Sequence, residues 1–401
     1  MTIFFLLGSL QGIIISLILF YKSIQQQRKP LQWLSLLVAL ISIHLLYGYV
    51  VLNGTVLNFI WVMRLYEPIP FLYSFIIYRF TISLTGAKQN TFFNNVVLLL
   101  FFSSFLFLTP FIFSTQSIKI LFYNQVKCSN YPVDFKILFL LKSIMGILSL
   151  ILSIKHLRSY DKLLLEQFSS LQGKSLKWLK WFYLLLLIMW VVATARFFLG
   201  FHHNVSIAGA IAITIFIYFI SFYTSAYQPV IILQENDNDE SNIVQTEPII
   251  LNYTNPKLLT QNIETVENAI DKTVRKKYKN SSLTKQDADK IYLTLDAVIS
   301  TEKLFTNKEC NLQMVSEVAN IKSSLISETL NTFYKTNFYN FINQYRVQEA
   351  KLKLNAADSN SFSLEGIGEM CGFKSKSTFY SFFKKETGLT PMEYKKQVKQ
   401  S

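Results

Sequence analysis

The chain opens with MTIFFLLGSLQGIIISLILFY, 21 residues without a charged side chain. A helix rising 1.5 Å per residue crosses the roughly 30 Å apolar core of a bilayer in about 20 residues. Comparable runs follow near 31–52, 58–83, 92–113, 135–157, 178–200 and 205–227, with the first at 2–21. Lipid offers no partner to a free N–H or C=O, so each run is expected to close its hydrogen bonds within a helix. The pattern predicts a seven-transmembrane-helix bundle. The third run is the least regular. It carries Arg64, Glu67, Pro68, Pro70 and Arg79, and its start reads as a loop or a tilted half-helix. Beyond about residue 233 the apolar residues thin into short periodic stretches, the signature of a fold in water.

The net charge of +14 divides unevenly between these regions. Residues 1–233 carry 17 basic and 4 acidic residues, residues 234–309 carry 10 and 13, and residues 310–401 carry 12 and 8. Most of the basic excess therefore belongs to the apolar half, where it sets orientation rather than nucleic-acid affinity. Lys22, Arg28 and Lys29 lie in the first loop and Lys88 in the third. Lys155, Arg158, Lys162, Lys174, Lys177 and Lys180 lie in or beside the fifth. Loops two, four and six are poorer, Lys119 and Lys127 being the main exceptions. The positive-inside rule places loops one, three and five in the cytoplasm. This predicts a multi-pass protein of the cytoplasmic (inner) membrane, its N-terminus outside and its C-terminal domain inside. The first run has neither a basic flank ahead of it nor a small-residue cleavage site, unlike a cleaved signal peptide. The expected outer loops are short, the longest near 114–134, so a stimulus is expected to be read there or within the bundle.

Ionisable residues at membrane depth are functional candidates by default. Arg64, Glu67, Arg79 and Arg196 are the candidates for intramembrane sensing, with His44 and Lys142 nearby. Two readings stay open for them, a structural ion pair or snorkelling side chain and a ligand pocket or signal relay. His202-His203 are adjacent and point about 100° apart on a helix, a poor metal spacing. Cys128, Cys310 and Cys371 give neither a disulfide framework nor a zinc pattern. No cofactor or metal is expected. Nucleophile elbow, phosphate loop and HExxH motifs are missing, so an enzyme is not expected.

Residues 228–256 are rich in Asn, Asp, Glu and Pro, a solvated linker. Asn255-Pro256 then suits a helix entry. Leu259, Ile263, Val266 and Ile270 follow at spacings of 4, 3 and 4, about two heptads. Two readings stay open: a homodimer through residues 257–275, and an amphipathic helix packed on its own domain.

The stretch GFKSKSTFYSFFKKETGLTP, residues 372–391, predicts a soluble helix over 376–386. Ser375 is its N-cap and Gly388 its end. Thr390-Pro391-Met392-Glu393 reads as a capping box opening the last helix. Phe379, Phe382 and Phe383 share one face, with Ser377, Ser381 and Lys384 opposite. A short helix capped by Ser363 precedes it, and Gly372 makes the turn: a helix-turn-helix. Short hydroxyls allow approach to base edges, and lysines meet phosphates. A similar pattern occurs around Leu312–Ala319, where Ser323 is the expected cap of a second helix. There Ile326, Leu330 and Phe333 face in, while Ser324, Glu328, Asn331 and Lys335 face out. NFYNFINQYRVQEAKLKL reads as one long helix joining the two units.

These residues resemble the AraC/XylS-type DNA-binding domain, most closely in YRVQEAKLKL, in GFKSKSTFYSFFKKETGLTP and in the following EYKK. The resemblance covers about residues 286–398. The preceding KYKNSSLTKQDADKIYLTLDAVISTEKLF resembles the lead-in of membrane-anchored Bacteroidetes members that carry a multi-helix N-terminal domain. What the resemblance implies is sequence-specific transcription regulation on double-stranded DNA. Base-reading positions then fall on Ser323, Ser324, Ser327 and Glu328 in the first unit, and on Lys376, Ser377, Thr378 and Ser381 in the second. Arg346 matches a position that is usually structural; a phosphate contact is its other reading. The expected architecture is all-α: a membrane domain over 1–228, a linker and connector helix over 229–285, and a cytoplasmic double helix-turn-helix domain over 286–401. Three functions follow from it: a regulator coupled to a small-molecule or lipid signal, a DNA-binding protein merely anchored in the lipid bilayer, and a transporter or membrane enzyme with a regulatory tail.

Overall fold

Serines recur every seven residues on the first two helices, at 9, 16 and 23 on α1 (Ile3–Gln25) and at 35 and 42 on α2 (Lys29–Leu52). All five are buried. Ser16 Oγ donates to the Ser35 carbonyl and Ser35 Oγ donates to the Ser16 carbonyl, each at 2.9 Å. Gly8 and Gly12 share the buried stripe of α1. Small residues let two backbones approach; Ser16 and Ser35 bond across the seam, while Ser23 and Ser42 bond carbonyls of their own helices, those of Phe20 and Val38. The outer face of α1 carries Leu7, Leu10, Ile14, Leu17 and Ile18, all exposed. Hydroxyls inside and hydrocarbon outside is the reverse of a water-soluble helix and is compatible with membrane anchoring.

The computed structural model describes residues 3–128, 130–199, 283–356 and 361–400. Those residues are almost all helical. They contain no strand, and a single isolated bridge joins Phe168 and Asn311. After α2 come α3 (Ile69–Thr85), α4 (Thr91–Ile112), α5 (Gln116–Lys127), α6 (Val133–Gln167) and α7 (Lys177–Leu199). Among the described residues, four helices are long and apolar enough to cross a membrane: Phe5–Gln25, Lys29–Val51, Thr91–Ile112 and Val133–Gln167. The third expected span is irregular at its start. Its first part is a 3-10 turn, Thr55–Val62, and its helix, α3, has 17 residues. Arg64 takes a left-handed φ of 66°, and Pro68 and Pro70 delay the helix start, as the irregular composition of the run suggested. The expected fourth loop holds an additional helix, α5. The fifth span extends well past 157, because α6 runs on for 35 residues, roughly 50 Å. The sixth coincides with α7. The seventh, near 205–227, lies outside the described residues, as do most of the linker, the 257–275 heptads and His202-His203.

The chain divides into two compact units. The first comprises Met1–Asp161 and Gly173–Ile232. The second comprises Leu233–Ser401 together with Lys162–Gln172, the end of α6 and the residues after it.

In the second unit, Thr284 and Asp287 form a capping box that starts α8 (Lys285–Thr301). Asn311 caps α9 (Leu312–Ala319), accepting from the Met314 N–H at 3.0 Å. Asn320, at φ 52°, turns the chain into α10 (Ser323–Glu328), which continues as a π turn over Thr329–Phe333. Asn337 caps the long α11 (Phe338–Asn355). Then follow α12 (Leu364–Met370), α13 (Lys376–Thr387) and α14 (Pro391–Gln400). Two cores result. Leu295, Ile299, Phe305, Leu312, Val315, Ile326 and Leu330 pack with Phe338, Phe341 and Ile342 of α11. Val347, Ala350 and Leu354 of the same helix pack with Ile367, Phe373, Phe379, Phe382 and Phe383.

Gly372, at φ 92°, sits where a Cβ would lie 2.3 Å from the Phe305 carbonyl oxygen. Gly372→Ala therefore meets backbone strain and a backbone clash together. It is expected to cost at least about 2 kcal/mol, read as earlier thermal unfolding and faster proteolysis of the C-terminal unit.

Candidate nucleic-acid interface

The second helix-turn-helix is built by local chemistry at each end. Ser363 Oγ accepts from the Gly366 N–H at 2.9 Å and starts α12. Ser375 Oγ accepts from the Thr378 N–H at 3.3 Å and starts α13. Gly388, at φ 78°, ends it, and its N–H donates to the Lys384 carbonyl. A Cβ on Gly368 would lie 2.8 Å from the Phe379 ring, so the missing side chain is what lets α12 meet α13. Thr390 and Glu393 exchange the two bonds of the capping box that opens α14.

The faces of α13 fall as expected. Phe379, Phe382 and Phe383 are buried, while Lys376, Ser377, Ser381 and Lys384 are exposed. Ser375 and Thr378 are half-buried, their hydroxyls 2.8 Å apart. The Lys376 ammonium pairs with Glu365, which raises its pKa, and lies 5.7 Å from the Tyr380 ring centroid. Both partners are more than half exposed, so a phosphate can displace the carboxylate at little cost. Lys384 and Lys385 occupy the last turn, where positive charge also complements the helix dipole.

The first unit is less regular. Its second helix begins at Ser323 itself; Lys322 holds the N-cap position and makes no side-chain cap bond, contrary to the expected Ser323 cap. Ser324 is exposed and Ser323 half-buried. Ser327 and Glu328 are 6% and 7% exposed, so the expectation that Glu328 faces outward is corrected. Lys335 is exposed, Asn331 and Phe333 half-buried. The six-residue helix runs into a π turn, where the 3.6-residue spacing used to assign faces no longer applies.

Arg346 is 1% exposed and lies between the two cores. Burial depresses its pKa to about 10, which leaves it charged near neutral pH. Its guanidinium makes five hydrogen bonds, to the carbonyls of Phe305, Asn307 and Ser169, to Asn343 Oδ1 and to Ser169 Oγ. Its role is structural. Sequence reasoning missed Ser169 and Asn343, which hold it. Their only prior signal was the arginine itself, which required buried acceptors.

The membrane candidates are not brought together as a set. Arg64 Nε and Nη2 donate to Glu67 at 2.7 and 3.1 Å, and Nη1 donates to Asp134 at 2.6 Å. The rings of Phe111 and Phe122 lie 4.9 and 4.7 Å from the guanidinium. Arg79 instead bonds Gln89 and stacks 5.0 Å from Trp33. The side chain of Arg196 lies outside the described residues. Lys142, 7% exposed, is 5.7 Å from the Phe135 ring. Among the described residues no group of His, Cys, Asp and Glu is placed to hold a metal ion.

Residues 315–397 match the family described as a helix-turn-helix domain, of the AraC type. Comparison with curated proteins and with solved structures gave no match. The match covers the first helix-turn-helix unit from Val315 on, the connecting helix and the second unit, and extends to no part of the apolar half.

Ser375→Ala removes the α13 cap and is expected to destabilise the second unit by about 1 kcal/mol, measured by chemical unfolding. Arg64→Ala leaves two carboxylates facing a lost cation. Loss of about 3–5 kcal/mol is expected, read as a lower melting temperature in detergent, with Arg64→Lys intermediate.

Proposed function

We propose that the chain is a membrane-bound, sequence-specific transcription regulator of the AraC type, held in the cytoplasmic membrane by a helical bundle of seven crossings. The observation that carries the reading is the exposed hydroxyl-and-lysine face of α13, backed by three buried phenylalanines and set beside a second unit on one connecting helix. A helix so presented can enter the major groove, and two units on one helix can meet successive groove faces about one turn apart. On this reading Ser375, Lys376, Ser377, Thr378 and Ser381 approach base edges, and Lys384 meets phosphate. Ser324 and Ser323 are the approach points of the first unit. Ser327 and Glu328 support its packing in the free chain.

The N-terminus lies outside and the DNA-binding domain in the cytoplasm. The membership of Lys162–Gln172 in the second unit supports this, because the basic fifth loop and that domain then share one side of the membrane. The membrane half biases DNA binding in response to a signal in or near the bilayer, of small-molecule or lipid nature. The saturated Arg64–Glu67–Asp134 cluster favours a second reading, in which that half only anchors.

Mapping the chromosomal sites bound by the full-length protein tests the core of this reading: a sharp recurrent sequence is expected, and diffuse occupancy would refute it. At that sequence, Ser377→Ala should alter base preference by about 1–3 kcal/mol at one position. Lys384→Ala should weaken all sites alike and lower the salt dependence of binding by roughly one counterion.

A further inference from the structure

Within the second unit, three residues that follow α6 fill a seat at the junction of the two cores. Ser169 is fully buried and Ser170 is 8% exposed. The Ser169 carbonyl accepts from Arg346 Nη1 at 3.0 Å and from Asn343 Nδ2 at 3.1 Å. Its Oγ accepts from Arg346 Nη2 at 3.0 Å and donates to the Cys310 carbonyl at 2.5 Å. Its N–H donates to the same carbonyl at 3.2 Å. Phe168 forms an antiparallel bridge to Asn311, the cap of α9.

The seat is the joint of the double unit. Arg346 follows the α11 residues that enter the first core and precedes those that enter the second. It bonds the carbonyl of Phe305, a member of the first core, and lies 5.8 Å from the ring of Phe373, a member of the second. The turn at Gly372 closes directly on Phe305 and Thr306. Among the described residues no carboxylate pairs with this guanidinium; carbonyl, amide and hydroxyl oxygens accept its hydrogen bonds, and two of them belong to Ser169. A buried charged donor that loses acceptors must rearrange to find others. Whatever moves Ser169 therefore moves the joint.

We infer that Phe168–Ser170 is a detachable clasp seated on the joint, with Ser169 a positioning residue that fixes the spacing at which α10 and α13 meet DNA. The clasp is covalently continuous with α6, which ends at Gln167 and is long and apolar enough to cross a membrane. A shift or rotation of α6 draws on the clasp, and the two reading helices change relative position. The effect on DNA rests on the DNA-binding reading above; the docking itself does not.

The test uses full-length protein in lipid nanodiscs, as wild type, Ser169→Ala and Ser169→Arg. Alanine removes the hydroxyl bonds, and arginine has no room in the seat. Burial raises the Cys310 thiol to about 11 and the Cys371 thiol to about 12, so both are slow to alkylate in the wild type. Iodoacetamide labelling, read by mass spectrometry, should rise at Cys310 by on the order of tenfold in Ser169→Arg and less in Ser169→Ala. Cys371, in the other core, should stay protected. A duplex of about 20 base pairs, selected by the wild type from a randomised pool, should bind Ser169→Arg on the order of a hundredfold more weakly. The same duplex with the first unit's half randomised should bind both proteins alike. Equal protection of Cys310 in all three proteins would overturn the clasp. So would joint exposure of Cys310 and Cys371, which would make the segment ordinary core. Unchanged duplex affinity despite Cys310 exposure would overturn its positioning role. Failure of the wild type to select any duplex would refute the DNA-binding reading, while the thiol labelling would still decide the clasp.

Discussion

A guanidinium with no carboxylate partner among the described residues lies at the junction of the two cores of the C-terminal unit. Burying such a charge is unfavourable unless every donor is satisfied. Arg346 meets that condition by drawing oxygens from three stretches of chain: Phe305–Asn307, Asn343 on its own helix, and Ser169. The requirement explains several neighbouring features together. The Phe305–Asn307 turn must present its carbonyls inward, Lys303 adopts a left-handed φ of 48° just before it, and Gly372 must lack a side chain to lie against it. Both helix-turn-helix units are thus referred to one side chain.

The N-terminal unit obeys the opposite solvent rule. Its buried positions include Ser9, Ser16, Ser23, Ser35, Ser42, Ser74, Ser149 and Ser153, while many of its exposed positions are Leu, Ile and Phe. Ser149 Oγ donates to the Ser74 carbonyl across α6 and α3, a one-way counterpart of the exchange between Ser16 and Ser35. In lipid, association gains little from hiding hydrocarbon, so close approach and interhelical hydrogen bonds take over. The Arg64–Glu67–Asp134 cluster fits the same logic. Its charges are matched to one another and walled by phenylalanine rings, which makes it a fixed joint between the turn after α2 and the start of α6.

Much of the C-terminal unit was legible because its signals are local. Ser363, Ser375, Gly388 and the Thr390–Glu393 box act within three or four residues, and each lies where the sequence puts it. The phenylalanine stripe of α13 is equally local. The errors arise where periodicity stops being helical or where the partner is distant. Glu328 was assigned outward on a 3.6-residue period, but the helix there passes into a π turn. The third apolar run, by contrast, is divided by its prolines and by the left-handed Arg64, as its irregular composition suggested. The role of Ser169 was invisible, since 177 residues separate it from Arg346 and no pattern in FSSLQG marks it.

The two units also differ in a way that bears on how DNA would be engaged. In the second, hydroxyls and a displaceable lysine line an exposed, doubly capped helix of 12 residues. In the first, the helix has six residues, lacks a side-chain cap and buries half of its polar candidates. A stiff reader beside a weaker one gains specificity only when their separation is held, because a misplaced weak unit contributes nothing to the bound complex. Control of such a pair is then exerted most economically at the joint rather than at either reading face. The joint is where Arg346 lies, and two of its five acceptors come from Ser169, two residues after the end of α6.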